Sequence, residues 1–410
     1  MIKTEVCIIG SGPGGSATAL RLHKEGIPFI IIDKNTFPRD KPCGDALSGK
    51  VISVLSKIAP DILDRLQDKC EPLQCRGTRF VVPGDYVFDV PFITKEVDEK
   101  DVPVGYTLKR EIFDAFMAEE VKKVAGDNMI IGEAVKYVTR SGDNYLVETE
   151  NTKVEARIVV DAAGSAANFK TAYEKPKPET KQTALAVRAY YEGVTDCHPD
   201  NYIELYFDES VLPGYFWIFP LPNGITNIGL GLRKDIVVKN KAKLSKMMED
   251  IIENHPLIAP RFKNAKMKGK LAAYKLPLGN PNFRISGDSF YLVGDSAQLV
   301  DPLSGEGVGN AMYSGFIAAE QIIDCFNENR FDSEFNKAYD KRVGRVLGGE
   351  MKVSDRLQKL MKYPKLIKWV GKRASRNKHM PDILSSMFVD IDYRKKLTNP
   401  FFMLKILFNK

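Results

Sequence analysis

The sequence has little of what secreted or metal-binding proteins use for stability. Its 410 residues contain six cysteines and four histidines, and no two cysteines form a CxxC pair. This spacing argues against both a structural zinc site and a disulfide framework. We therefore expect free thiols and no metal.

Long apolar runs are also absent. No uncharged apolar stretch reaches the roughly 18 residues of a membrane-spanning helix, and the apolar start of the chain is too short for a signal peptide. No repeat of roughly 20 to 50 residues is apparent, which argues against solenoids and propellers. We expect a cytoplasmic protein, and its 44% hydrophobic residues are enough for the cores of two or three domains.

The net charge of +7 is concentrated near the C-terminus. Residues 361–410 hold twelve Lys or Arg against three Asp, so this segment carries +9 and the preceding 360 residues carry −2. A basic terminus suggests contact with an anionic surface. Apolar side chains are interspersed with the charges, at Trp369, Phe401, Phe402, Leu404 and Leu407. We expect peripheral contact with the inner face of a membrane, the alternative being a helical cap with solvated lysines; no recognition motif supports nucleic-acid binding.

The clearest motif lies at the start of the chain. An apolar strand at 4–9 runs into the glycine turn GSGPGG, a helical pattern follows, and a second apolar strand ends in Asp33. In this βαβ setting Gly10 permits the tight turn, Gly12 lets a pyrophosphate approach the backbone, and Gly15 packs the helix against the strand. Asp33 is placed to accept hydrogen bonds from an adenosine ribose.

Two later segments favour FAD over NAD as the dinucleotide. Residues 290–313 predict a strand ending at Asp295 and then a glycine-rich helix start at 305–309. The Asp295 carboxylate can bind ribityl hydroxyls, and the helix start offers N–H groups and a positive dipole end to the flavin. Residues 156–164 predict another strand with a small-residue turn, where backbone can pass close to the cofactor.

Two further stretches resemble the geranylgeranyl reductase family, in the p-hydroxybenzoate-hydroxylase-like branch of the glutathione-reductase-type FAD fold. The stretch KPCGDAL at 41–47 is similar to the family's cysteine-glycine turn, and PGYFWIFP at 213–220 fits its YxWxFP signature. Flavin-dependent halogenases carry a related tryptophan-rich element. The resemblance spans residues 4 to about 330, with departures at Asp45 and in a linker at 165–180 that lacks an arginine.

The resemblance implies an α/β fold class: a Rossmann FAD-binding domain with an inserted antiparallel-sheet substrate domain and a helical C-terminal region. We expect the FAD-binding domain from residues 1–75, 109–175 and 285–330, the substrate-binding domain from 76–108 and 176–284, and a basic helical region from 331–410. In the substrate domain, strands are predicted at 182–193, 201–207 and 225–232, with three more from VVP, YVFDV and VGYTL within 78–108.

The resemblance also implies a set of cofactor contacts. Besides Gly10, Gly12 and Gly15, these are Ser16, Asp33, Cys43, Gly44, Ala46, Arg110, Ala134, Asp295, Gly307 and Val308. Arg110 has independent support because it begins a predicted helix, where a guanidinium can neutralise pyrophosphate or stabilise reduced flavin. An exposed arginine in a helix cap is the alternative.

Tyr215 and Trp217 lie two apart in a predicted strand, so they share one face with Phe219. An aromatic-faced sheet suits a long apolar substrate, although a plain sheet core gives the same pattern. We expect this strand to contact substrate and to lie away from the cofactor.

The reaction that the resemblance implies is FAD-dependent reduction of isoprenoid C=C bonds, with Cys43, Tyr215 and Trp217 as candidate catalytic residues. Cys43 can donate a proton, because a thiol near its usual pKa is mostly protonated at pH 7; packing beside the flavin is its alternative role. No second GxGxxG is present, so NAD(P)H would dock transiently or a ferredoxin-like donor would supply electrons. Two other classes stay open: an FAD-dependent monooxygenase or halogenase acting on an apolar or aromatic substrate, and a flavoprotein that carries electrons or lipid.

Overall fold

The structure is a computed structural model that describes residues 1–92, 105–165, 168–175, 179–279 and 284–376. Its strands are β1 Ile2–Ile9, β2 Phe29–Asp33, β3 Ala46–Leu47, β4 Leu73–Cys75, β5 Gly77–Val82, β6 Tyr86–Pro91, β7 Gly105–Thr107, β8 Met129–Ile131, β9 Tyr137–Ser141, β10 Asn144–Glu148, β11 Lys153–Asp161, β12 Lys170–Thr171, β13 Thr183–Glu192, β14 Ile203–Tyr206, β15 Tyr215–Pro220, β16 Ile225–Arg233, β17 Lys266–Pro277, β18 Ser286–Gly287 and β19 Phe290–Leu292. Its α-helices are α1 Pro13–Lys24, α2 Gly49–Ile58, α3 Ile62–Cys70, α4 Arg110–Ala125, α5 Lys234–Asn240, α6 Leu244–Asn254, α7 Ala259–Phe262, α8 Val308–Glu328, α9 Ser333–Val343, α10 Gly349–Leu360 and α11 Pro364–Ala374.

The first sheet contains the N-terminal βαβ unit that the sequence predicts. Strand β1 pairs in parallel with both β2 and β11, and β19 extends the sheet from β11. Strand β2 is buried throughout, and β1 and β11 are buried over residues 6–9 and 158–161, as parallel strands are when helices cover the sheet. Helix α1 packs against α8 so closely that a Cβ on Gly315 would lie 2.1 Å from the Gly14 carbonyl oxygen. The α/β FAD-binding fold is therefore confirmed.

The second sheet has the order β17-β13-β16-β15-β14-β5-β6. Strands β13, β14 and β16 correspond to the predicted segments 182–193, 201–207 and 225–232, whereas β17, the longest strand, was not predicted. Apolar side chains on one face, such as Phe216, Ile228 and Leu230, pack with helices α6 and α7 in a separate core. The other face is turned toward the first sheet, and a cavity lies between them.

Two details of the predicted substrate sheet were wrong. The VGYTL segment forms β7, which pairs with β3 and β4 in a small third sheet. Strand β7 is held in this small sheet because it leads directly into α4 beside the Cys43 turn. Between them, the Leu108 amide donates to the Asp45 carbonyl, 2.9 Å. The sheet is also not wholly antiparallel, since β14 and β5 pair in parallel. The domain boundaries stay a prediction.

The C-terminal helices follow the first sheet along the chain and reach both sheets. Helix α9 packs on α8, α10 contributes to the cavity wall, and α11 packs on β5 and β6. Residues 377–410, with Phe401, Phe402, Leu404 and Leu407, lie outside the described residues. Within the described ranges, no helix combines the length and apolarity needed to cross a bilayer.

Candidate functional site

One continuous cavity of about 1290 Å³ joins the glycine loops of the first sheet to the open face of the second. A single drug-sized ligand typically occupies about 300 to 1000 Å³, so this cavity has room for a dinucleotide and a substrate together. No group of three or more His, Cys, Asp or Glu within the described residues is placed to hold a metal ion. All six cysteines are free thiols.

The N-terminal glycine turn shows which glycine faces a ligand. A Cβ on Gly10 would lie 2.5 Å from the Ala162 oxygen and one on Gly15 would lie 1.8 Å from the Gly10 oxygen, so both serve close backbone packing. A Cβ on Gly12 would meet only Arg39 Nη2, at 3.7 Å. Gly12 therefore borders open cavity, which is the space a pyrophosphate needs.

Two of the predicted contacts beside this turn differ in what they do. The Ser16 hydroxyl donates to the Ser11 carbonyl, 3.2 Å, and like Gly15 it does not line the cavity. The Asp33 carboxylate lines the cavity and accepts from the Ser11 amide, 2.7 Å, and the Asn35 amide, 2.8 Å. A carboxylate has about four acceptor positions, so Asp33 can hold the turn and still accept from a ribose. Ala134 lies on the same rim of the cavity.

Arg39 provides an independent test of whether a dinucleotide fits. Its Nη2 contacts Asp114 Oδ2 at 3.1 Å, yet its Nε is buried without a hydrogen-bond partner. Leaving such a donor unsatisfied costs about 1 to 3 kcal/mol. A pyrophosphate beside Gly12 would supply the missing acceptor, so the residues present fit FAD. Arg39 carries no signal in the sequence, because only the fold brings it against the turn.

The far end of the cofactor space is formed by Asp295 and the start of α8. Asp295 Oδ2 accepts from the Tyr274 hydroxyl at 3.1 Å and lies 3.6 Å from Lys41 Nζ. Burial acts to lower the pKa of Lys41, but Asp295, Tyr274 and Asp114 together outweigh burial and raise that pKa, so Lys41 is a cation. Gly307 and Val308 line the cavity at the α8 N-terminus, where the Glu306 carboxylate accepts from the Gly309 amide, 2.7 Å.

The Cys43 turn lies between cofactor space and the second sheet, with Cys43, Gly44 and Ala46 all lining the cavity. Arg110 Nη1 is 3.9 Å from Cys43 Sγ, while two other guanidinium nitrogens bind Asp114 at 2.8 Å each. Burial raises the pKa of the Cys43 thiol, and Arg110 only partly opposes this rise. Cys43 is therefore a protonated thiol at neutral pH.

Strand β15 presents the aromatic face that the sequence predicts. Tyr215, Trp217 and Phe219 line the cavity, while Phe216 and Ile218 are buried on the opposite face. The Tyr215 hydroxyl donates to the Ser304 carbonyl in the loop that precedes α8. The strand thus contacts the loop that leads to the predicted cofactor contacts Gly307 and Val308, and its distance from the cofactor stays a prediction.

A second tie runs through Asn227 on β16. The Trp217 indole donates to Asn227 Oδ1, 2.9 Å, and Asn227 Nδ2 donates to the Cys43 carbonyl, 2.8 Å, and to Asp45 Oδ2, 2.7 Å. A Cβ on Gly44 would lie 2.9 Å from the Phe219 ring. The aromatic wall and the Cys43 turn are therefore in direct contact.

Two glycines in β16, Gly229 and Gly231, lie beside the Trp217 indole. A Cβ on Gly229 would lie 2.0 Å from the Trp217 indole, so the ring lies flat over this glycine. A Cβ on Gly231 would lie 3.8 Å from the same indole and 3.9 Å from the Ala186 Cβ, which is ordinary contact. Gly231 therefore borders space that a substrate can enter.

Two domain families match successive parts of the chain. Residues 3–173 match the FAD binding domain, and residues 184–270 match the geranylgeranyl reductase catalytic domain. The chain is therefore an FAD-dependent oxidoreductase with a domain similar to the catalytic domain of geranylgeranyl reductases. FAD is thus the cofactor of the cavity.

Similar proteins cover most of the chain. Digeranylgeranylglycerophospholipid reductase of Thermoplasma volcanium is 27% identical over 83% of this chain and 83% of its own length. Menaquinone reductase of Mycobacterium tuberculosis is 26% identical over 95% and 93%. A geranylgeranyl bacteriochlorophyll reductase-like structure from Thermoplasma acidophilum superposes with a TM-score of 0.82 at 21% identity, covering 99% of each chain. A flavin-dependent brominase structure gives a TM-score of 0.72 at 21% identity, covering 94% and 93%, which shows a shared fold.

Replacing Gly12 by Ala tests where this protein places the pyrophosphate. The apo fold has room for the methyl group, so the melting temperature should stay near that of the wild type. The methyl group occupies the space of the phosphate, so FAD affinity should fall by about tenfold or more. Fluorescence titration of the apoprotein with FAD measures this.

The control is Gly349→Ala, at a helical position where a Cβ meets nothing within 4 Å. It should bind FAD as the wild type does. Equal FAD affinity in the two variants would contradict the placement of the pyrophosphate at Gly12.

Proposed function

We propose that this oxidoreductase saturates C=C bonds of a polyprenyl chain carried by a lipid or a quinone. The observation that supports this most is the continuity of the cavity: its cofactor end passes the Cys43 turn and opens onto an aromatic and aliphatic wall. The similar proteins named above are reductases of a digeranylgeranyl glycerophospholipid and of menaquinone. A polyprenyl chain is the part that these two substrates share.

The apolar end of the cavity suits a flexible hydrocarbon. Its lining comes from β5, β6, β14, β15, β17 and α10 and includes Phe80, Phe88, Phe92, Leu205, Phe207, Tyr215, Trp217, Leu276, Val353 and Leu357. Each methylene moved from water into such a lining gains about 0.8 kcal/mol. Chain binding would therefore place an isoprene unit beside Cys43 and exclude water from it.

The proposed roles in the reaction follow from these positions. The chemistry that bound FAD supplies is hydride transfer from its reduced form. Cys43 holds the proton for the second alkene carbon, and Arg110, neutralised by Asp114, helps to position the thiol. Tyr215 and Trp217 hold the chain against the turn. The remaining FAD contacts named from the sequence keep their proposed cofactor roles, with Gly15 and Ser16 acting through the turn.

We also propose that NAD(P)H or a ferredoxin-like protein supplies the electrons. The sequence contains one GxGxxG motif, and FAD accounts for it. A nicotinamide donor would therefore dock only transiently.

An anaerobic assay tests the proposed function. Dithionite-reduced protein is incubated with geranylgeranyl lipids and with menaquinone, and products are analysed by mass spectrometry. After any quinol has been reoxidised in air, a mass gain of two hydrogens per reduced bond is expected in the prenyl chain. Products that form only with oxygen and carry a hydroxyl or halogen would support the oxygenase or halogenase alternative, and no product from any prenyl compound would contradict the proposal.

Gly231→Ala tests the substrate wall without disturbing the fold. The added methyl makes only ordinary contacts with Trp217 and Ala186, but it takes the space of about one methylene of substrate. The KM for long prenyl substrates should rise about fourfold, with FAD affinity and melting temperature unchanged.

Gly229→Ala is the matched comparison, because its methyl would collide with the indole. That variant should have a lower melting temperature, and its KM should change equally for long and short substrates. An unchanged KM at every chain length in Gly231→Ala would contradict the wall.

Cys43→Ser tests the proton donor. The hydroxyl keeps the size of the thiol but is a far weaker acid, so FAD should stay bound while the alkene-reduction step slows. In the wild type a protonated thiol is active, and its pKa is raised above the usual 9.0. The rate should therefore fall only at a pH above 9.0 in the wild type, and this alkaline limb should disappear in Cys43→Ser. Stopped-flow measurements across pH give the alkene-reduction rate and its pH dependence. Identical pH–rate profiles for the wild type and Cys43→Ser would mean that Cys43 only packs beside the flavin.

We propose peripheral contact with the cytoplasmic face of a membrane through α11 and the residues before it. Residues 357–376 contain seven Lys or Arg and no acidic residue. Four large apolar side chains spaced by three are exposed here: Leu360, Tyr363, Leu366 and Trp369. The inner side of α11 is fixed to β5, since a Cβ on Gly371 would lie 1.9 Å from a Val82 methyl. A basic helix with an exposed apolar stripe suits an anionic bilayer surface.

Vesicle co-sedimentation tests this surface. Each basic side chain near an anionic bilayer contributes about 1 kcal/mol, so Lys365→Glu with Lys372→Glu should weaken binding to phosphatidylglycerol vesicles by about tenfold or more. The control, Lys239→Glu with Val238→Ser on α5, should bind as the wild type. Equal binding by all three proteins, or no preference for anionic over phosphatidylcholine vesicles, would contradict the proposal.

A further inference from the structure

Asp45 is a buried carboxylate to which the reaction described above gives no role. It is fully buried and has a φ of +65°, a backbone conformation that is uncommon for residues other than glycine. Such a conformation persists where surrounding contacts determine it, and it is frequent at functional sites. The sequence analysis noted Asp45 only as a departure from the family pattern.

Three donors from three elements converge on this carboxylate. Oδ1 accepts from the backbone amide of Arg110 at the start of α4, 3.0 Å. Oδ2 accepts from the Tyr190 hydroxyl on β13, 2.7 Å, and from Asn227 Nδ2 on β16, 2.7 Å. Burial raises the pKa of Asp45, and these three hydrogen bonds oppose the rise. The contacts join the cofactor-side turn to two strands of the second sheet.

The carboxylate also determines which way the Asn227 amide points. Because Asp45 can only accept when ionised, it holds the Nδ2 side of Asn227 toward itself and toward the Cys43 carbonyl. The oxygen of the same amide is then left to accept from the Trp217 indole. A flipped amide would turn an oxygen toward the Cys43 carbonyl and an NH₂ toward the indole N–H.

We propose that Asp45 is a positioning residue that acts through Asn227, fixing the Cys43 turn and the Trp217 indole relative to each other. The proposal rests on the proposed function, in which Cys43 supplies a proton and Trp217 holds the prenyl chain. The proton donor and the substrate wall therefore keep a fixed relative position, although one lies in the Cys43 turn and the other on the second sheet.

Asp45→Asn tests this without a change in size. The amide must turn an NH₂ either toward the Arg110 amide or toward Asn227, so one donor meets another donor in both orientations. The variant is made with Trp369→Phe, which leaves Trp217 as the only tryptophan, so that intrinsic fluorescence reports on this indole. Mass spectrometry follows alkylation of the Cys43 peptide in the FAD-loaded protein without substrate.

The expected result is a shifted Trp217 emission and Cys43 alkylation faster by about tenfold, the equivalent of one lost hydrogen bond. FAD affinity should stay near the wild-type value, since Asp45 does not line the cavity. In a prenyl-reduction assay, kcat should fall more than KM rises. Trp217 emission and Cys43 alkylation are both measured without substrate. They therefore test the role of Asp45 even if the protein reduces no alkene.

Glu204→Gln is the matched control, because Glu204 on β14 is as buried as Asp45 but binds Arg261 and Tyr206 and does not line the cavity. It should lower the melting temperature and leave Trp217 emission and Cys43 alkylation unchanged. If Asp45→Asn behaves in the same way, Asp45 is merely structural and the proposal is overturned.

Two further variants keep the test decisive. Asn227→Asp leaves Asp45 in place but removes the Nδ2 donor, so it should reproduce the faster alkylation even where Asp45→Asn is too unstable to assay. The double variant Asp45→Asn with Asn227→Asp exchanges donor and acceptor. It should restore the wild-type Trp217 emission. The alkylation of Cys43 should stay faster than in the wild type, since nothing then donates to the Cys43 carbonyl. No recovery of emission would contradict the role of Asn227 as the link.

Discussion

The hydrogen bonds that Asn227 makes to the Cys43 carbonyl and to Asp45 join the two halves of the site. One half is a glycine-lined space for a dinucleotide on the first sheet, and the other is an aromatic face on the second. Neither half alone could bring an alkene to a flavin. The proposed reaction depends on the contact between the turn and the sheet at Gly44 and Phe219, where not even a Cβ would fit between them.

Polarity is divided along this cavity. Charged side chains gather at the cofactor end, where Arg39 and Lys41 face carboxylates and Arg39 keeps an unused buried donor. Beyond the Cys43 turn the lining is mostly aromatic and aliphatic, with polar side chains such as Arg188, Arg233 and Gln358 among it. An isolated alkene is a poor hydride acceptor, so proton delivery and hydride delivery must be closely timed. In the proposed reaction, an apolar wall that holds the chain beside a protonated thiol would meet that need.

Local patterns predicted the cofactor half well and the junction poorly. The turn from Gly10 to Gly15 and the strand ending at Asp33 are encoded in one contiguous βαβ segment, so spacing alone was enough. The roles of Arg39, Asp45 and Asn227 depend on neighbours far along the chain. Asp45 and Asn227, for example, are 182 positions apart. The alternation of Tyr215 and Trp217 gave the correct face of β15, but no period in the sequence shows that this face meets the cofactor side. The glycines at 229 and 231 look alike in sequence, and only the packed indole distinguishes them.

Mass spectrometry of lipids and quinones from cells with and without the gene would measure the proposed reaction in the cell. Cells lacking the gene should lose a partly saturated prenyl lipid or quinone and accumulate its counterpart with two fewer hydrogens per affected bond. Restoring the wild-type gene should reverse the change, and restoring Cys43→Ser should do so only slowly. Identical prenyl profiles in the two cell types, together with loss of a hydroxylated or halogenated compound, would contradict the account.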